Sequence, residues 1–167
     1  MERDLEFNFK DALEAIVFDE MKDKDSPHYH GIGTMHRVDF VVELEEAILF
    51  VEVKDPSNPN AKPTQQRKFL NKVQDGTLSN DFVSKFMDSF IYRWAENKTS
   101  KPIHYISLVT LDEELLSTLS DEIIAKLPPM NHEVPRWKRK LVNNVQVFNI
   151  DTWNTCFPKW PVRRVAA

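Results

Sequence analysis

Hydrophobic positions along this chain alternate between a spacing of three to four residues and a spacing of two, and the changes divide it into elements. Residues 5–21 set Phe9, Leu13, Ile16 and Val17 at helical spacing, with Asp11, Glu14 and Glu20 elsewhere, which predicts an amphipathic helix. Residues 22–33 are polar and contain Ser26-Pro27 and Gly31-Ile32-Gly33, the composition of a loop. From Arg37 to Asp55 the spacing becomes two, and a turn centred on Glu45 and Glu46 gives a β-hairpin. One face then holds Val38 opposite Val53, Phe40 opposite Val51, Val42 opposite Leu49 and Leu44 opposite Ala47, all apolar and predicted to be buried. The other holds Arg37 opposite Lys54, Asp39 opposite Glu52, Val41 opposite Phe50 and Glu43 opposite Ile48. A slip by one residue would turn the charges into the core, so the register is strongly specified. Glu45-Glu46 is poor chemistry for a two-residue turn, and a four-residue loop on the same centre preserves the pairing.

Pro56, Pro59 and Pro63 break regular structure after the hairpin. Residues 64–74 predict a short helix carrying Arg67, Lys68 and Lys72. Residues 79–97 predict a longer one, with Phe82, Phe86, Phe90 and Trp94 in a core-packing stripe and Ser79 or Asn80 as its cap. A buried strand over 104–111 follows, then an amphipathic helix over 112–127 stopped by Pro128-Pro129. Residues 131–140 read as a loop, 145–150 as a last strand, and Asp151 as the cap of a short helix ending near Phe157; Pro158 to Ala167 form an extension. This order predicts one α/β domain over 1–167, a mixed sheet of about four to five strands flanked by α-helices.

The chain has 167 residues, enough for one domain with a substantial core. No apolar run reaches membrane-spanning length, and the N-terminal residues lack a signal peptide's basic and apolar regions. A single cysteine, Cys156, excludes an intrachain disulfide, points to a cytoplasmic setting, and reads as a small core residue. The net charge of −4 is unevenly spread. Residues 1–60 carry 15 acidic and 6 basic residues, whereas 61–167 carry 11 acidic and 16 basic. An acidic metal-holding part beside a basic, polyanion-gripping part fits that division.

Two candidate chemistries follow. Asp39 opposite Glu52 is a like-charge pair across strands, which destabilises a sheet. A divalent cation held by oxygen ligands, Mg²⁺ or Mn²⁺, would relieve it. Lys54, two residues from Glu52 on the same face, could orient an attacking water and stabilise phosphate charge. The alternative is a solvated checkerboard in which Arg37 and Lys54 pair diagonally with the acids and no metal binds. For polyanion contact, Arg67, Lys68 and Lys72 would position a phosphate backbone, and Arg136, Trp137, Lys138, Arg139 and Lys140 combine charge with an aromatic stacking surface. A solvated loop explains each set equally well. His28, His30 and His36 fall close together, but without cysteines or fixed spacing they read as loop residues.

Val38-Asp39, an apolar strand, a turn and Phe50-Val51-Glu52-Val53-Lys54 together resemble the PD-(D/E)xK nucleases, the restriction-endonuclease-like superfamily that includes archaeal-type Holliday-junction resolvases. The resemblance covers about residues 5–55 and is specific for Asp39, Glu52 and Lys54; Val38 stands where the motif is usually written with proline. It implies Mg²⁺ binding by Asp39, Glu52 and the Val53 carbonyl, with Lys54 serving the nucleophilic water. Glu14 is the candidate for an added acid from the first helix, the other reading being an ordinary solvated helix carboxylate. It further implies phosphodiester hydrolysis, with DNA as substrate, leaving a 5′-phosphate. The small chain leaves specificity to a homodimer or a partner protein. The contrasting expectation is a non-catalytic nucleic-acid- or protein-binding module on the same fold.

Overall fold

A computed structural model describes residues 4–29, 31–128 and 135–165. Its elements are β1 (Leu5–Phe7), β2 (Glu14–Val17), β3 (Phe40–Glu43), β4 (Ile48–Lys54), α1 (Pro63–Gln74), α2 (Thr77–Ala95), β5 (Ile103–Val109), α3 (Glu113–Lys126), β6 (Asn144–Phe148), α4 (Ile150–Cys156) and β7 (Val162–Arg164). Five strands form one mixed sheet in the order β2-β3-β4-β5-β6. Neighbouring strands are antiparallel from β2 to β4 and parallel from β4 to β6, so β4 is the middle strand and belongs to both arrangements. β1 and β7 make a separate antiparallel ribbon.

The sheet is covered on both sides. One face packs Val41, Ile48, Phe50, Tyr105 and Val145 against Phe82, Phe86 and Phe90 of α2 and Leu116, Leu119 and Ile123 of α3, with Val73 of α1. The other packs Phe40, Val42, Leu49, Val51, Val53, Ile106 and Leu108 against Trp153 of α4 and Leu5 and Val162 of the ribbon. This accounts for the unbroken apolar run Ile48–Val51: a strand buried on both faces has no polar side to alternate with.

The hairpin register matches the sequence reading, with Phe40 opposite Val51 and Val42 opposite Leu49. The turn closes through Leu44 N–H, which donates to the Ala47 carbonyl at 2.8 Å, and neither central glutamate needs a positive φ. Lys101 steadies this acidic end by donating to Glu43 and to the Leu44 carbonyl, both at 2.7 Å.

Several expectations need correction. The predicted helix over 5–21 is instead two strands. β1 takes its partner from the far end of the chain, Glu6 pairing with Arg163, and β2 pairs with β3. The 3–4 spacing of Phe9, Leu13, Ile16 and Val17 was overridden by hydrogen-bond partners that no local window contains. The extension after Pro158 therefore supplies a strand. Helix α2 starts earlier than expected, capped not by Ser79 or Asn80 but by Gly76, whose φ of 73° turns the chain from α1 into α2. Asn149, not Asp151, caps α4, exchanging hydrogen bonds with Thr152. Cys156 is exposed, because this short helix buries Trp153 and leaves its last turn outside.

The ribbon is latched to the end of β4. Arg164 donates to both oxygens of Asp55, at 2.7 and 2.6 Å, and the Thr110 hydroxyl adds a third bond at 2.8 Å. Asp55 is buried, so removing its cation leaves a buried charge without its partner. Arg164→Ala is expected to lower stability by about 3 kcal/mol in urea unfolding. A loss below about 1 kcal/mol would show the pair behaving as an ordinary surface contact.

Candidate active site

β4 brings Glu52 to the centre of the sheet with its side chain on the α2 face, wholly shielded from water. Asp39 lies at a bend immediately before β3 and is 4% exposed. The bend changes which way successive side chains point. Val38 joins the core on the α2 side, with Val41 and Phe50, whereas Phe40 enters the opposite core; the sequence reading had put Val38 and Phe40 on one face. The segment is tethered on both flanks. Val38 N–H donates to the buried Ser89 hydroxyl at 3.0 Å, His36 N–H donates to Asp88 at 2.8 Å, and the Asp39 carbonyl accepts from Phe18 N–H at 2.8 Å. The Asp39 carboxylate reaches across to β4 and accepts from Val53 N–H at 2.6 Å.

Two lysines neutralise the acids. Lys85, from α2, donates to both Glu52 oxygens at 2.7 and 2.9 Å and lies 3.6 Å from Asp39 Oδ1. Lys54 pairs with Glu52 Oε1 and donates to the Val53 carbonyl at 3.1 Å. One nitrogen therefore touches both carboxylates, which share a single pocket. The charged face is not solvated as the checkerboard expects: both acids are buried, and Arg37 donates to the Ile32 and Met35 carbonyls instead. Lys85, Asp88 and Ser89 sit at i, i+3 and i+4 on α2, so one helical face holds both the pocket and the segment leading into Asp39.

A third acid, Asp19, adjoins the pocket just after β2. Its pKa is raised, first by burial and then by the charge of Asp39, with Lys85, Arg37 and Lys54 acting in the opposite direction. Glu52 is pushed up from 4.5 to about 7, chiefly by burial; Asp39 adds to the rise, and Lys54 and Lys85 oppose it. Burial likewise raises the Tyr105 hydroxyl, helped by the charge of Glu52.

Glu14, expected on a helix as an added metal ligand, is not at the pocket. It is exposed on β2 opposite Glu43, at the end of the β2–β3 pair away from Asp39, because the segment is a strand. Asp19, rather than Glu14, is the further acid that feels the charges of the pocket. Reading 14–17 as a β-branched strand would have carried the chain on to Asp19 beside Asp39.

The two basic sets separate. Arg67, Lys68 and Lys72 are exposed on α1, which begins shortly after Lys54 and so lies at the pocket's end of the sheet; Lys72 pairs with Asp81 at 2.9 Å. Arg136, Trp137, Lys138, Arg139 and Lys140 are also exposed, but at the opposite end. Arg139 donates to the Thr99 carbonyl and hydroxyl and stacks over Phe90, and Thr99 leads into Ile103, which pairs with Ile48 at the start of β4. The length of β4, roughly 20 Å, lies between that loop and Lys54. Of the histidines, His36 pairs with Asp88 at 3.1 Å, and His30 lies outside the described residues.

Among the described residues, no three acidic, histidine or cysteine side chains gather tightly enough to hold a metal by themselves. The hard oxygens of Asp39, Glu52 and the Val53 carbonyl nevertheless suit Mg²⁺, which is commonly held by one or two carboxylates while keeping several waters. No protein family, curated protein or solved structure matches the chain.

The raised Glu52 pKa sets a pH dependence for the metal-free protein. Between 4.5 and about 7 the folded state holds a proton that the unfolded state has released. The Glu52 contribution to stability is thus full below pH 4.5 and lost as pH rises through 7, a fall of about 3 kcal/mol. Glu52→Gln is expected to flatten that interval in urea titrations with chelator present. A parallel decline in the variant would assign the dependence to other groups.

Proposed function

We propose that this chain is a metal-dependent nuclease of restriction-endonuclease-like type that hydrolyses phosphodiester bonds in DNA. One observation carries the reading: Asp39 and Glu52, singled out by the motif, are buried together at the end of β4 with Lys54 beside them. The mixed sheet with helices on both faces is compatible with that superfamily.

Asp39, Glu52 and the Val53 carbonyl would hold Mg²⁺ or Mn²⁺. When bound, such an ion polarises a phosphoryl oxygen and makes a neighbouring water more acidic. Asp39 is fixed for this by Val53 N–H. Lys54 lies at the partly exposed rim of the pocket, where its ammonium would orient the water and offset phosphate charge. The helix α1, with Arg67, Lys68 and Lys72, would carry the backbone of the duplex past this rim without reading its sequence. The loop 136–140, on the far side, would serve a second duplex segment or a partner, and a homodimer or partner protein would supply specificity. A non-catalytic binding module is the second reading, and the observation favouring it is that both carboxylates already have ammonium partners.

Mg²⁺ or Mn²⁺ is expected to raise the Tm of the parent protein and to support cleavage of supercoiled, linear or branched DNA; Asp39→Ala should lose both. Lys54→Ala should lose cleavage by about 100-fold or more yet keep the metal-dependent rise in Tm. Unchanged cleavage by Lys54→Ala removes that lysine from the mechanism. Metal binding without cleavage of any of these substrates selects the binding module.

A further inference from the structure

We propose that Lys85 is an exchangeable internal cation: its ammonium occupies the seat between Asp39 and Glu52 and leaves it when a divalent metal binds. The inference rests on reading this pocket as a metal site, and it assigns a role to a residue outside the motif.

The contacts are those of a stand-in ion. Lys85 Nζ meets both oxygens of Glu52, at 2.7 and 2.9 Å, and faces Asp39 Oδ1 at 3.6 Å. These are the oxygens that a metal held by this pair would use. Mg²⁺ needs them at about 2.0–2.1 Å, so it cannot share the seat with an ammonium that touches the same atoms. Two cations so close, with little water between them, would repel strongly. The charges agree. Asp19, Asp39 and Glu52 face Lys54 and Lys85, with Arg37 also acting on Asp19, so the pocket is balanced without metal. Adding a divalent ion with both ammoniums in place would leave it positive.

Lys85 also has somewhere to go. Its side chain is 19% exposed, whereas that of Glu52 is wholly buried. A lysine carries its charge on a flexible four-carbon stem and is strongly hydrated once outside. Movement of the side chain alone, with α2 fixed by Phe82, Phe86 and Phe90, would take the ammonium from the acids to the mouth of the pocket. There it would meet a phosphate approaching the metal. In the metal-free state the same ammonium keeps Glu52 from being a buried acid paired with Lys54 alone.

Competition of this kind lowers apparent metal affinity by the fraction of molecules whose seat is free. Isothermal titration of Mg²⁺ into the wild type and Lys85→Met at pH 8 should therefore show at least about tenfold tighter binding by the variant. A residue that merely supported the pocket would weaken binding when removed. Lys85→Gln provides a second variant of similar size should the methionine form not fold. The wild type offers an independent measurement, acetylation of Lys85 followed by mass spectrometry, with the rate expected to rise when Mg²⁺ saturates the protein. Equal or weaker Mg²⁺ binding by the folded variants, or a Lys85 acetylation rate that Mg²⁺ leaves unchanged or lowers, overturns the exchange. If binding still depends on Asp39 in that case, the metal site stands and only the exchange is lost. No Mg²⁺ binding by wild type or variants overturns both.

Discussion

Glu52 places a carboxylate near the end of the central strand, out of contact with water, and the surrounding structure answers that placement. An uncompensated ion there costs several kcal/mol. Two lysines from different elements meet it, Lys54 from its own strand and Lys85 from α2. Asp39 is drawn to the same pocket by the amide of Val53, the residue between Glu52 and Lys54. A fold seeking stability alone would put a leucine at this position, because well-packed apolar residues commonly equal or exceed a buried ion pair. A buried, strongly perturbed acid beside a second acid is the pattern expected where chemistry is done.

The bend at Asp39 is the second determinant. A regular strand through Val38, Asp39 and Phe40 would set Asp39 opposite Glu52 as a cross-strand neighbour. The bend begins β3 one residue later, and its carboxylate finds an amide donor instead. The repulsion is thereby divided between a backbone N–H and a lysine. The tethers from Asp88 and Ser89 hold the bend, so α2 shapes the pocket through its backbone-binding side chains as well as through Lys85.

Legibility in the sequence tracked the range of the interactions. The β3–β4 register could be read because a one-residue slip would bury charge, and Asp39, Glu52 and Lys54 followed from it. Helices α1, α2 and α3 could be read from their spacing, although Trp94, expected in the core stripe of α2, is 60% exposed because the last turn runs past the sheet. Residues 5–17 could not, since β1 depends on β7 and β2 on β3, and a short amphipathic strand with Phe9, Leu13 and Ile16 nearby imitates a helical stripe. Asp19, which β2 carries to the pocket, is illegible for the same reason. Lys85 was hidden differently: it lies in the apolar stripe of α2, and the polar pair Lys85 and Ser89, four residues apart between Phe82 and Phe90, was a mark of something other than packing. The separation of the two basic sets to opposite ends of the sheet needed the strand directions, which local pattern does not contain.

The latch between Asp55 and Arg164 joins residues 109 positions apart. During synthesis, Asp55 leaves the ribosome long before the arginine that neutralises it, and closing so long a loop is entropically slow. The strand carrying Glu52 therefore ends in an acid whose arginine partner is made only after β5, α3, β6 and α4. A nascent chain thus holds all five strands of the central sheet before the latch at the end of β4 can close.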